Sequence, residues 1–334
     1  MLRDILNGSD PQVSAVVAVI AQVSPDILLL TGFDYDHGLH ALCSVVDQLG
    51  KADTNYPYLF ANPPNRGMAS ALDLDGDGWM GSAGDAQGFG EFAGQGGMAL
   101  LSRYPIATQD VRDFSRFLWA DLPDANLPHA KGAPFPSRQA LAVQRLSSTA
   151  LWDVPVDLPG GGQLRLLGSY AGTPAFDGPE YRNARRNHDE VTFWRLYLEG
   201  GLIADPPEEN FIVLGNANLD PNDGLGMRSA ITNLIRHPNI QDPEPRSKGG
   251  AQAARLQGGA NENQTGDPAL DTADWRDLDG PGNLRVDYVL PSTVLRVQET
   301  GVFWPASQDP LHQVLSNQGV LASRHALVWV DISR

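Results

Sequence analysis

A single cysteine, Cys43, stands in a chain of 334 residues. No intramolecular disulfide can form from it, and a cysteine-built metal cluster is excluded. Cys43 falls in an apolar helical run, where a buried, inert thiol is expected. Basic residues are scarce too: 24 Lys and Arg stand against 40 Asp and Glu, a formal charge of −16. That surface repels phosphate backbones and anionic membranes, so neither nucleic acid nor membrane is an expected partner. No apolar run is long enough to span a bilayer. The opening Met1-Leu2-Arg3-Asp4 lacks the basic and then apolar stretches of a secretory leader, which points to a cytoplasmic protein. What is abundant is loop-forming material, Gly 35 and Pro 25, beside 42 % hydrophobic residues. The balance is that of a globular chain with ample core.

Local patterns predict an α/β protein. Ser9-Asp10-Pro11 is a helix start, Val13, Val16, Val17 and Ile20 follow at helical spacing, and Pro25 ends the run. Continuous apolar stretches of strand length then recur, predicting buried strands at 26–31, 164–169, 211–215, 285–290 and 327–332. Each stops at polar residues, which is where functional groups collect in open sheets. Asn187–Glu199 carries Val191, Trp194 and Leu198 at helical spacing. Regions 106–140 and 240–282 are rich in Pro, Gly, Asp and Asn and read as long surface loops. There is no internal repeat and no linker-like break, so residues 1–334 are expected to form one domain.

Five segments carry a resemblance: Asp26–Asp36 (DILLLTGFDYD), Leu166–Asn187 (LLGSYAGTPAFDGPEYRNARRN), Phe211–Gly224 (FIVLGNANLDPNDG), Asn283–Ser292 (NLRVDYVLPS) and Ala322–Ile332 (ASRHALVWVDI). Together they resemble the endonuclease/exonuclease/phosphatase superfamily, whose deoxyribonuclease-I-like fold is a two-sheet α/β sandwich with outer helices. The resemblance implies a polar set at the strand ends. A Glu helps hold a divalent cation, a GDxN-type turn handles water and phosphate, a central His contacts phosphate, and a final Asp-His pair works as acid and base. The family pattern also places a strand, bearing an Asn that helps hold the cation, ahead of Asp26. This sequence begins at Met1 where that strand should have ended, so the first strand is expected to be missing, the chain being either naturally shorter or without its start.

Carried onto this chain, the chemistry is depleted. The Glu falls on Gly32, the central His on Tyr170, and the carboxylate of the GDxN turn on Asn216, while Asn218 matches. The Asp expected before His325 is Arg324, which cannot accept a proton. His325 is therefore expected to lack a carboxylate partner and to be structural, with Asp287 bracing a neighbouring loop. Asp34 and Asp36 share one side of an extended segment, where they could hold a cation weakly but are rather expected to be solvated or to cap a loop. Mg²⁺ is not expected at this site.

Two further clusters stand out. Asp73-Leu74-Asp75-Gly76-Asp77-Gly78-Trp79 is the front half of a calcium loop, with Asp73, Asp75 and Asp77 as side-chain ligands. Gly84 stands where the closing acid belongs and Asp85 follows it, so Asp85 is the candidate closing ligand for a structural Ca²⁺; the alternative is a solvated acidic turn. Arg182, Arg185 and Arg186 gather just ahead of the predicted helix at 187 and would suit an anion, or else pair with Asp177, Glu180, Asp189 and Glu190 as scaffold. Three functions compete. The favoured one is a superfamily member without the ancestral hydrolysis, a monomer binding a small anionic ligand or a protein through the cleft. The second is an active phosphoester hydrolase with a relocated metal near Asp34, Asp36 and Asn218. The third is a structural protein whose cleft is closed.

Overall fold

A carboxylate and a proline start the first long helix, as the sequence indicates. In this computed structural model, which describes residues 1–333, Asp10 Oδ1 accepts the Val13 N–H at 3.0 Å and Pro11 takes the first helical position. Helices α1 (Leu2–Asn7) and α2 (Pro11–Val23) lead into β1 (Ile27–Phe33), and α3 (His40–Gly50) follows it. The first sheet joins β1 to β3 (Gly97–Ser102) and β3 to β2 (Tyr58–Phe60), all antiparallel.

The second sheet is larger. Across it run β4 (Arg112–Asp113), β5 (Leu151–Asp157), β6 (Gln163–Tyr170), β7 (Phe211–Asn216) and β8 (Asp287–Pro291), in that order. Only β6 and β7 are parallel. A parallel pair needs a crossover, and α4 (Arg182–Leu198) supplies it. A separate ribbon pairs β9 (Arg296–Phe303) with β10 (Leu327–Ser333).

The strict alternation of strand side chains sorts the core into layers. Ile27, Leu29, Met98 and Leu100 of the first sheet meet Leu164, Leu166 and Ile212 of the second. Leu28, Ala99 and Leu101 point the other way, onto Ile5, Ile20, Leu42 and Val45 of the helices. On the far face, Leu167, Phe211 and Val213 pack on Phe193, Trp194 and Tyr197 of α4. The result is the expected two-sheet α/β sandwich with outer helices. All five predicted strands form, within a few residues of the predicted ends.

Four local expectations need correction. Helix α4 starts at Arg182 rather than 187, because both Asp177 oxygens accept N–H groups of its first turn, from Asn183 at 2.6 Å and Ala184 at 2.9 Å. The predicted loop 240–282 contains α5 (Lys248–Gln257), capped by Ser247 and masked in the sequence by Gly249 and Gly250. The predicted surface loop 106–140 sends Trp119 and Leu122 into the core. Cys43 is exposed, since Leu42, Val45 and Leu49 turn the opposite face of α3 inward. Among the described residues, no helix is long and apolar enough to cross a membrane.

Between β1 and β10 the layers are not filled. A cavity of about 1640 Å³ lies there, lined on one side by β1, on the other by β10, above by α2 and below by Leu164, Leu166, Ile212 and Leu214. Gly32, Asp287 and His325 are among the residues that line it.

Candidate active site at the strand ends

The register of the second sheet places three polar side chains in one row. Tyr170, the last residue of β6, lies opposite Asn216, the last of β7, and Asn216 lies opposite Asp287, the first of β8. Because β6 and β7 are parallel, both deliver their ends to the same edge. Asn216 Nδ2 donates to Asp287 Oδ1 at 2.9 Å, and Asn216 Oδ1 accepts the Asn218 N–H at 2.7 Å. Asn218 sits in the left-handed region at φ 48, which asparagine tolerates, and its Nδ2 donates to the Ala171 carbonyl at 2.8 Å.

His325 is not isolated. The expectation that it lacks a carboxylate is overturned: its Nδ1 lies 2.8 Å from Asp287 Oδ2. The sequence offered Arg324 as the chain neighbour, but the partner comes from another strand. With Nδ1 carrying the proton toward Asp287, Nε2 is the ring's free nitrogen. Burial alone would push the imidazole pKa down; the Asp287 charge and hydrogen bond outweigh it, and the net shift is upward. Thr272 Oγ1 donates to the same Asp287 oxygen at 2.9 Å, and the Trp275 ring meets His325 edge-on at 5.1 Å. Neither Thr272 nor Trp275 had any spacing signal, since both lie in a stretch that reads as loop. Beside Thr272, the Asp271 carboxyl is pushed up to about 8 by burial and then by the charges of Asp220, Asp223 and Asp267. Its Oδ2 has no hydrogen-bond partner among the described residues.

The amide at 216 fits this arrangement better than an acid would. A carboxylate there could not donate to Asp287, and two carboxylates at that distance would force one to hold a proton. Asp287 therefore spends Oδ1 on Asn216 and Oδ2 on Thr272 and His325. Across the cleft, Gly32 occupies a bulge of β1 at φ 74, and a Cβ there would meet no atom within 4 Å. Asp34 Oδ1 accepts the Gly96 N–H, and both Asp36 oxygens accept N–H groups at the start of α3. These two carboxylates hold loops.

Arg324 is exposed, lines the cavity and has no side-chain partner among the described residues. The Arg66 guanidinium lies 5.5 Å from the centre of the Tyr170 ring, a contact without any signal along the chain.

The arginines chosen from the sequence do not face this row as a group. Arg186 is buried and donates to the carbonyls of Leu146, Gln87, Arg145 and Ser147. Arg185 is held by the Glu180 carbonyl and Asn126 Oδ1, and Arg182 by Gln144 Oε1. A scaffold role is what these contacts describe, with carbonyls rather than carboxylates as the main partners. Arg182 also lies in the field of Asp75 and Asp85, so the basic and acidic clusters adjoin. In the acidic turn Asp73, Asp75 and Asp85 bring oxygens within 4.8 Å of one another. Asp77 is not in that group, and its Oδ1 instead accepts the Trp79 N–H at 2.7 Å.

A family model for the endonuclease/exonuclease/phosphatase family matches residues 5–325, nearly the whole chain. The chain belongs to that family. A solved endonuclease/exonuclease/phosphatase from Beutenbergia cavernae is similar at 17 % identity and TM-score 0.54, covering 96 % of this chain and 65 % of that one. This chain thus spans slightly less than two thirds of that protein. A family protein from Leptotrichia buccalis is similar at 13 % identity and TM-score 0.52, covering 97 % of this chain and 93 % of that one. At these identities the likeness speaks to fold alone. A comparison with curated proteins gave no match.

Proposed function

We propose that this family member binds a small phosphate-type anion at its strand-end cleft and has lost the family's metal-dependent phosphoester hydrolysis. The observation that carries this reading is the use of Asp287, whose two oxygens are taken by Asn216, Thr272 and His325. Gly32 adds no donor, and Asn216 spends both of its amide groups. This donor set does not fit Mg²⁺, which needs several hard oxygens in octahedral array. The same cleft is bordered by Arg324, Arg66 and a histidine biased toward its charged form. Such groups suit an anion.

Calorimetry with inorganic phosphate tests it. Arg324→Ala or His325→Ala is expected to weaken binding by about 10- to 100-fold, the loss of one charge-assisted hydrogen bond. Equal affinity in both variants and the parent overturns the site.

The His325–Asp287 pair favours a second reading, retained hydrolysis with His325 as acid or base. Aryl phosphodiesters and nucleic acid with Mg²⁺, Mn²⁺ or Ca²⁺ distinguish the two. Metal-dependent turnover above about 1 s⁻¹, abolished by His325→Ala and Asn218→Ala, establishes the second and ends the first. Separately, a stabilising Ca²⁺ is proposed at Asp73, Asp75 and Asp85. Adding Ca²⁺ to chelated protein should raise Tm, and Asp75→Ala should remove the rise.

A further inference from the structure

Helix α4 reaches the strand-end row through one side-chain amide. Asn187 is fully buried, and its Nδ2 donates to two carbonyls, Gly172 at 2.7 Å and Ala217 at 2.8 Å. Gly172 stands two residues beyond the end of β6 and Ala217 one beyond the end of β7, so a single NH₂ group ties the two turns together. Three residues along the helix, Glu190 accepts the Gly172 N–H at 2.7 Å and also the Ser148 N–H. Gly172 is thus held at both its N–H and its C=O. The turns are laced to each other as well, by the Ala171 N–H to the Asn216 carbonyl at 2.9 Å and by Asn218 Nδ2 to the Ala171 carbonyl.

Chemistry narrows what can stand at 187. Two carbonyls need two N–H groups on one short side chain. An ionised Asp has no donor, Ser and Thr have one, and Lys or Arg would bury a charge. The amide is not there for stability alone, because Asn187 Oδ1 is buried and has no hydrogen-bond partner among the described residues. A buried acceptor left alone opposes folding, and rules broken in this way concentrate at functional sites.

What the clamp controls is the Asn216 amide. Ala217 is fixed on both sides, its C=O by Asn187 and its N–H by the Val286 carbonyl at 2.8 Å. The next N–H, of Asn218, closes back on Asn216 Oδ1. With that oxygen engaged, Asn216 Nδ2 is directed at Asp287 Oδ1 and stands 3.2 Å from His325 Nδ1. We propose that Asn187 is a positioning residue of the strand-end cleft, which holds the turn after β7 so that the Asn216 amide faces Asp287 and His325. The inference rests on the hydrogen bonds around that pair and is independent of what the cleft binds.

An NMR titration of His325 tests it, with Tm measured on each sample. Once the Asn216 amide can turn away, Asp287 loses a neutral donor and its charge acts more fully on the imidazolium. Asn187→Ala should therefore raise the His325 midpoint by about half a pH unit, the size of one neutral hydrogen bond. Leu198→Ala, buried at the far end of the same helix, should lower Tm and leave the midpoint in place. Asn216→Ala should raise the midpoint as Asn187→Ala does, and the double variant should raise it no further, because effects that pass through one contact do not add. If Asn187→Ala does not fold, Asn187→Ser keeps one donor, and a smaller rise in the same direction is expected. An unchanged or lowered midpoint in the folded variant at 187 overturns the role. So does an additive rise in the double variant, or an equal rise in Leu198→Ala.

Discussion

Strands β3 and β1 are neighbours with similar sequences and different surroundings. Gly97–Ser102 is buried at every position, whereas in Ile27–Phe33 only Leu28 is, although both are largely apolar in sequence. The difference is not in propensity or pattern. It lies in whether a second strand flanks the run, since β3 has β1 and β2 on its edges and β1 has only β3. An apolar run records a demand for burial, and tertiary structure decides whether the demand is met.

The sharpest way to test that contrast is with matched truncations. Leu100→Ala, in the filled layer, is expected to cost about 2–5 kcal/mol by denaturant unfolding, the range for a fully packed leucine. Leu29→Ala, facing the same layer from the half-buried strand, should cost about half of that or less. Equal losses would mean that the cavity beside β1 does not weaken packing there.

Titration sharpens the contrast on the polar side, where two groups rise for opposite reasons. Asp271 has an oxygen without a partner and is raised to about 8. The folded state therefore holds its proton more tightly than the unfolded chain. Its contribution is intact below the ordinary carboxylate range and is lost as pH rises from about 4 toward 8. Asp271→Asn should raise Tm by several degrees at pH 8 and leave it nearly unchanged at pH 4.

At the bulge of β1, Gly32→Ala meets no atom but must keep φ 74, so a loss of about 1–2 kcal/mol is expected from backbone conformation alone. A larger loss would show that the space around Gly32 is narrower than described. The smallest effect should be at His325. Its raised pKa stabilises the fold below its unfolded value of about 6.5, and that stabilisation fades as pH climbs through the folded value. In an NMR titration, Asp287→Asn should lower the His325 midpoint. An unchanged midpoint would remove the charge pair from the site.

Much of the scaffold was legible from residues alone. The runs at Leu164–Ser169 and Phe211–Gly215 announced buried strands because parallel strands covered on both faces need no polar alternation. Asp10-Pro11 announced α2 because capping is a local event within one turn. Helix α5 was hidden because Gly249 and Gly250 are poor helix formers, and tight packing on Trp304 and Pro268 explains them only in three dimensions.

The sequence by itself determined the buried strand runs and the family, since both depend on side-chain type at fixed places in the chain. Tertiary structure decided the partners. His325 looked unpaired because its neighbour is Arg324, yet the sheet brings Asp287 from 38 residues away to within hydrogen-bond reach. Arg182, Arg185 and Arg186 looked like a ligand site because they are adjacent, yet the helix turns them to different carbonyls and amides. Hydrogen bonds act over about 3 Å in space, and separation along the chain does not measure that distance.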